Sequence, residues 1–104
     1  MKMGKNYYFD IDGVVCDSQE GNYELAVPRM DRIKKINKLF AKNYVIFYTA
    51  RGTVTGIDWK NVTKAQFDKW GLKYDRIEFG KPFYDVLVDD RCMNDKVFFK
   101  DVDK

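Results

Sequence analysis

Apolar residues fall along the chain in short blocks separated by polar, glycine-bearing stretches, and their spacing changes from block to block. Asn6-Tyr7-Tyr8-Phe9-Asp10-Ile11 is an apolar and aromatic run that closes on an acid and a glycine, Asp12 and Gly13. Such a run, bounded by turn residues, predicts a buried strand. Residues 14–27 show no clear period and include Gly21 and Asn22, so they read as a loop. Over residues 28–42 the spacing becomes helical: Met30, Ile33, Ile36, Leu39 and Phe40 fall on one stripe. Pro28 suits the first turn of that helix, and Asp31 suits its positive end.

Tyr44-Val45-Ile46-Phe47-Tyr48 is a second continuous run, the pattern of a strand covered on both faces. Thr63-Lys64-Ala65-Gln66 has capping-box spacing and Gly71 is a helix stop, which together predict a short helix over 64–70. Arg76-Ile77-Glu78-Phe79 predicts a short strand and Asp85-Val86-Leu87-Val88-Asp89 a further one, with a helical turn after Asp95 in residues 96–100. Strands alternating with helices predict an α/β domain, three-layered and Rossmann-like, around a small central parallel sheet. Its ligand site then lies beyond the carboxyl ends of the strands.

Composition narrows the chemistry. A chain of 104 residues predicts a single domain over 1–104, and 45% apolar content with 16% aromatics can fill a core. No apolar run approaches the ~20 residues that cross a bilayer. Residues 1–12 lack the apolar stretch of a signal peptide, so a cytoplasmic location is expected. The chain has no histidine, which excludes Ser-His-Asp and Cys-His triads, HExxH zinc sites and phosphohistidine chemistry. Cys16 and Cys92 form no CxxC pair, which argues against a zinc site or a disulfide framework. Neither has an arginine six positions on, where Asn22 and Phe98 stand, so a cysteine-phosphatase loop is excluded as well. Carboxylates, lysine, arginine and hydroxyls remain.

Residues of these types end the predicted strands. Asp10 and Asp12, two apart on an extended chain, point the same way, and Gly13 lets the backbone turn away. Thr49 and Arg51 follow the second strand, Lys81 precedes the last, and Asp89-Asp90 ends it. Taken singly, each is commonly a solvated loop residue or a cap. Gathered at one end of a sheet, four carboxylates repel one another unless a cation balances them. Oxygen ligands with a phosphate suit Mg²⁺.

With these residues the sequence resembles the haloacid dehalogenase-like (HAD) phosphatases. Phe9-Asp10-Ile11-Asp12-Gly13-Val14-Val15 is similar to their first motif, with Val14 where threonine is commoner. Tyr48-Thr49-Ala50-Arg51, Gly80-Lys81-Pro82 and Val88-Asp89-Asp90-Arg91 are similar to the second, third and fourth, in order and spacing. The resemblance implies a HAD-like fold and a phosphatase working through an aspartyl-phosphate. Asp10 is then the nucleophile and Asp12 the general acid and base. Thr49 and Lys81 bind phosphoryl oxygens. Mg²⁺ is held by Asp10, the Asp12 carbonyl and the fourth-motif acids, with Asp90 favoured over Asp89 as the inner ligand. Between Gly13 and Val27 there is room only for the small hairpin and loop common to the family, and between Gly71 and Lys81 there is no room for a cap domain either, so the resemblance is to capless members. An open site of this kind suits a macromolecular substrate or one covered by a neighbouring subunit.

The net charge is +3 and rises to +7 when the four strand-end acids are set aside. Arg29, Arg32, Lys34, Lys35, Lys38 and Lys42 crowd the first helix, either as a solvated face or as a surface that steers anions. The expected substrate is a small phosphorylated metabolite such as a sugar phosphate, with Gln19, Asn22 and Tyr23 as candidates for specificity. Thr49-Ala50-Arg51 also resembles the T/S-x-R of polynucleotide 3′-phosphatases, which places Arg51 beside the substrate and makes a nucleic-acid end the alternative. A phospho-accepting receiver module uses the same residue types, but with paired acids first and the accepting Asp later. The surplus of aromatics, Trp59 and Trp70 among them, suggests a homo-oligomer, although core packing is the commoner role for each.

Overall fold

The structure, a computed structural model that describes residues 2–19 and 22–104, has elements β1 (Asn6–Phe9), β2 (Cys16–Gln19), β3 (Asn22–Pro28), α1 (Met30–Phe40), β4 (Tyr44–Thr49), α2 (Lys60–Trp70), β5 (Arg76–Phe79) and α3 (Asp95–Phe98). β4 is the central strand, as its unbroken apolar run requires: Val45, Ile46 and Phe47 are fully buried. It pairs in parallel with β1 on one side, Phe9 opposite Phe47, and with β5 on the other, Phe47 opposite Ile77. Parallel neighbours need long crossovers, and these hold α1 and α2. The chain is therefore an α/β fold with a small parallel sheet, compatible with a Rossmann-like arrangement.

The core lies on the sheet face that carries Phe9, Val45 and Phe47. There α1 contributes Ile33 and Ile36, α2 contributes Phe67 and Trp70, and Phe99 follows α3. The Phe67 ring meets Phe47 edge to face at 4.8 Å, and Phe98 meets Phe9 in the same way at 5.5 Å. The opposite face carries Tyr8, Tyr48, Arg76 and Glu78, with Arg76 donating to both Tyr8 and Glu78 and Tyr8 half exposed. Among the described residues no helix supplies the third layer expected from the sequence; the core residues of α1 and α2 join one cluster, and the partly buried Phe98 of α3 packs against it. Trp70 is a core residue, and Trp59 stands edge-on to Tyr23 at 5.0 Å.

Four local expectations are corrected. The loop expected over 14–27 from its lack of a period contains the β2–β3 hairpin, at the place where the resemblance left room for a small one, and in it Cys16 pairs with Pro28 and Asp17 with Val27. A register shift between Asp17 and Gln19 breaks the alternation that would have revealed it, and Leu25 and Val27 face solvent. Gly21, cited for the loop, lies outside the described residues. Secondly, Pro28 ends β3 rather than opening α1, and Arg29 N–H goes to the Val15 carbonyl, so the helix begins at Met30. Thirdly, α2 starts at Lys60, whose N–H is accepted by the Asp58 carboxylate, and Thr63 is a fully buried interior residue and not a cap. Its end at Gly71 is as expected, at φ +68°. Finally, residues 85–89 form no strand: Val86, Leu87 and Val88 are 77%, 51% and 91% exposed. An apolar run is stable as a strand only where a ladder and a covering face receive it, and this one has neither.

Candidate active site

The first strand gives way to a tight turn immediately after Phe9. Ile11 is fully buried and its carbonyl accepts from both Val14 and Val15 N–H, while Gly13 adopts φ +84° and donates to the Cys16 carbonyl. With Ile11 committed to the core, its neighbours Asp10 and Asp12 both line a cleft of about 290 Å³ at the carboxyl end of the sheet. Thr49, at the end of β4, lines the same cleft. Gly80, at φ +89°, turns the chain back over β4 so that Lys81 N–H reaches the Thr49 carbonyl at 3.0 Å. Lys81 Nζ then lies 3.1 Å from Asp10 Oδ2. Tyr23, Phe83 and Tyr84 give the cleft aromatic walls. Sequence reasoning thus named Asp10, Asp12, Thr49 and Lys81, and the fold brings all four together.

Charge sets the character of each group. Burial alone would lower the proton affinity of Lys81, but Asp10 and the Tyr84 hydroxyl outweigh it and hold the ammonium above the usual lysine range. Burial alone would raise Asp12, but the Arg51 guanidinium, with help from Ser18 and Cys16, holds its carboxyl below the usual carboxylate range. Burial first and Asp12 second push the Cys16 thiol up to about 12.

Arg51, expected beside the substrate, lines the same cleft, and its guanidinium is engaged by partners within the protein. Its side chain is fully buried, with Nε donating to Asp12 Oδ2 and Nη2 to Asp12 Oδ1, both at 2.9 Å. Nη1 donates to Thr63 Oγ1 at 3.0 Å and to Gln66 Oε1 at 2.7 Å, and Tyr23 stacks on the guanidinium at 4.9 Å. Thr63, Gln66 and Ser18 were not foreseen as parts of the site. Reading them from the sequence needs the true start of α2 and the hairpin register, and neither has a periodic signal.

Asp89 and Asp90 are not brought to Asp10. They lie exposed outside the cleft lining, and Asp89 Oδ1 accepts the Arg91 N–H of its own turn. The physical reason is the unformed strand at 85–89, which was to carry them. Among the described residues no group of three or more His, Cys, Asp or Glu is placed to hold a metal ion. Asp10 and Asp12 share the cleft, and the carboxylates of Asp89 and Asp90 do not join them in its lining.

Of the loop residues, Tyr23 lines the cleft, whereas Gln19 and Asn22 are exposed at the hairpin tip. The basic helix is partly spent on structure: Arg29 pairs with Asp17, Arg32 is buried against Asp95 and Asp103, and Lys35 pairs with Asp101. A wider concavity of about 510 Å³ beside Arg29, Arg32 and Asp103 holds none of the strand-end residues.

No family model and no curated protein matches the chain. Among solved structures, the crystal structure of a target protein from Vibrio cholerae is similar over 91% of this chain and 87% of its own, with a TM-score of 0.82 at 24% identity. A chain of the Pnkp1/Rnl/Hen1 complex is similar over 92% of this chain and 33% of its own, with a TM-score of 0.61 at 13% identity. At these identities the likeness is one of fold: the chain shares its α/β architecture with both.

Proposed function

We propose that the chain is a phosphomonoester hydrolase of the HAD type that works through an aspartyl-phosphate. One observation carries the reading: Asp10, half exposed in the cleft, is held 3.1 Å from the Lys81 ammonium with Asp12 in the same cleft. The ammonium draws the anionic ester in and offsets the repulsion between ester and carboxylate. Asp10 attacks phosphorus, the bond from phosphorus to the ester oxygen breaks, and the departing oxygen takes a proton from Asp12. Water then attacks the acyl phosphate, gives its proton back to Asp12, and inorganic phosphate leaves with Asp10 restored. Held by Arg51, which lowers its proton affinity, Asp12 favours the ionised form and so suits the second half as a base. The dianionic ester beside it raises its proton affinity and prepares it for the first half as an acid.

The substrate class we favour is a small phosphorylated metabolite such as a sugar phosphate. The aromatic walls of Tyr23, Phe83 and Tyr84 favour a second reading, a nucleic-acid 3′ end whose base stacks there. Magnesium stays in the proposal on charge grounds, since one lysine against an ester dianion leaves negative charge in the cleft, but no step above passes through it. No helix among the described residues is long and apolar enough to cross a membrane. The test is hydrolysis of sugar phosphates, nucleotides and 3′-phosphorylated oligonucleotides with and without Mg²⁺, by wild type and Asp10→Asn. Release of phosphate by the wild type alone supports the reading, and equal release by the variant overturns it. Stable labelling by acetyl phosphate would favour a receiver module instead.

A further inference from the structure

We propose that Arg51 is a positioning residue that locks the Asp12 carboxylate in one rotamer, leaving Oδ2 as the oxygen that exchanges a proton with substrate and water. The proton role of Asp12 rests on the function proposed above; the lock itself does not.

A guanidinium has five N–H donors and no acceptor. Here the Nε donor goes to Asp12 Oδ2, the two on Nη1 to Thr63 and Gln66, and those on Nη2 to Asp12 Oδ1 and, more weakly at 3.9 Å, to Cys16 Sγ. None is left for a phosphate. A buried charge is tolerated when it is fully paired in this way, and the same pairing makes it immobile. Thr63 and Gln66 lie one turn apart on the same side of α2, so a rigid helix fixes the back of the fork. Gln66 in turn donates to the Tyr23 carbonyl, which ties the hairpin strand over the guanidinium.

The two oxygens of Asp12 are held differently. Oδ1 accepts from Arg51 Nη2, from Ser18 Oγ at 2.7 Å and from Cys16 Sγ at 3.5 Å. Among the described residues, Oδ2 accepts from Arg51 Nε alone. Only Oδ2 keeps a lone pair for a partner in the cleft. A lysine at position 51 would keep the charge but could not form the planar fork.

The test uses Arg51→Lys and Arg51→Met in the full chain. The first readout is the Asp12 χ1 population from Hα–Hβ couplings in the free protein, with amide shifts of β4 and β5 reporting the fold. Wild type should show one rotamer and both variants an averaged set. The second readout compares an alkyl phosphate, which needs protonation of its leaving group, with 4-nitrophenyl phosphate, which hardly does. The variants should lose about 10²-fold or more on the alkyl ester and less than about tenfold on the aryl ester. A purely structural role would lower both alike. A single Asp12 rotamer in Arg51→Lys, or equal losses on both esters, overturns the inference. If wild type hydrolyses neither ester, the phosphatase reading fails while the rotamer measurement still decides the lock. Should the Arg51 variants not fold, Thr63→Val removes one acceptor from the fork at constant volume and should move the same readouts by a smaller factor; no movement overturns the inference.

Discussion

Lys81 reaches from the end of one outer strand, across the central strand, to place its ammonium 3.1 Å from the Asp10 carboxylate at the end of the other. The two side chains are fixed by different means: Asp10 Oδ1 accepts the Ile11 N–H, and the Lys81 backbone is pinned by Thr49 and Thr53. Lys81→Met keeps the stem and removes the charge. Turnover of 4-nitrophenyl phosphate should fall about 10²–10³-fold, in line with loss of one charged transition-state donor. Asp10→Asn should show no turnover while its circular dichroism matches wild type.

The three strands of the parallel sheet and the residues that follow them were legible because both depend on local signals. Tyr44–Thr49 is apolar at nearly every position, so it had to be the central strand, and the residues after it and after Phe9 had to meet at one end of the sheet. The partners of Arg51 were not legible. An arginine beside a site reads as a substrate ligand until its five donors are traced, and two of their partners lie on a helix whose first turn Asp58 sets. The hairpin followed from the resemblance but not from periodicity, where its register shift hid it. Residues 85–89 misled for the opposite reason: their pattern suits a strand, but pattern alone does not supply a neighbour to pair with.

Phe47 is the keystone of the aromatic core, in contact with Phe9, Phe67 and Tyr74 rings at 5.8, 4.8 and 6.4 Å. Phe47→Ala should destabilise the fold by about 3–5 kcal/mol, the usual cost of emptying a buried aromatic site. Phe47→Leu, which keeps most of the volume, should cost less. Urea unfolding followed by tryptophan fluorescence measures both, since Trp70 lies in the same core.

The two cysteines should separate cleanly in a thiol titration. Cys92 is exposed; Cys16 is fully buried and its thiol is held near 12 by burial and by Asp12. Only thiolate reacts, so at pH 8 the native protein should consume one equivalent of a disulfide reagent quickly and the second only on unfolding. Fast loss of both would place Cys16 outside the core and undo the hairpin packing.

Amide exchange addresses the segment that carries Asp89 and Asp90. With Val86, Leu87 and Val88 exposed and no ladder at 85–89, these amides should exchange at nearly the free-chain rate, while those of Tyr44–Thr49 are protected. Repeating the measurement with Mg²⁺ tests whether a cation draws the two acids inward. Protection that appears only with the metal, and is lost in Asp89→Asn or Asp90→Asn, would identify the acid that matters. Protection without the metal would restore the strand expected from the sequence.

Asp12 also makes an acid-stability prediction. Its folded-state proton affinity is depressed below the ordinary value of 3.8 by the Arg51 fork acting against burial. A carboxylate of that kind stabilises the fold fully above its unfolded value and loses the contribution as pH falls through the lower folded one. Asp12→Asn has no such contribution to lose, and should be less stable than wild type by about 1–3 kcal/mol at pH 7, the worth of hydrogen bonds to a charged group. The gap should hold down to about pH 5 and close as pH falls below 3.8. Asp17, Asp75 and Asp103 are lowered as well and contribute to acid unfolding of both proteins, so the quantity to follow is the difference in urea midpoint between them. A gap that stays constant through the acid range would mean that Asp12 and Arg51 are not paired in solution.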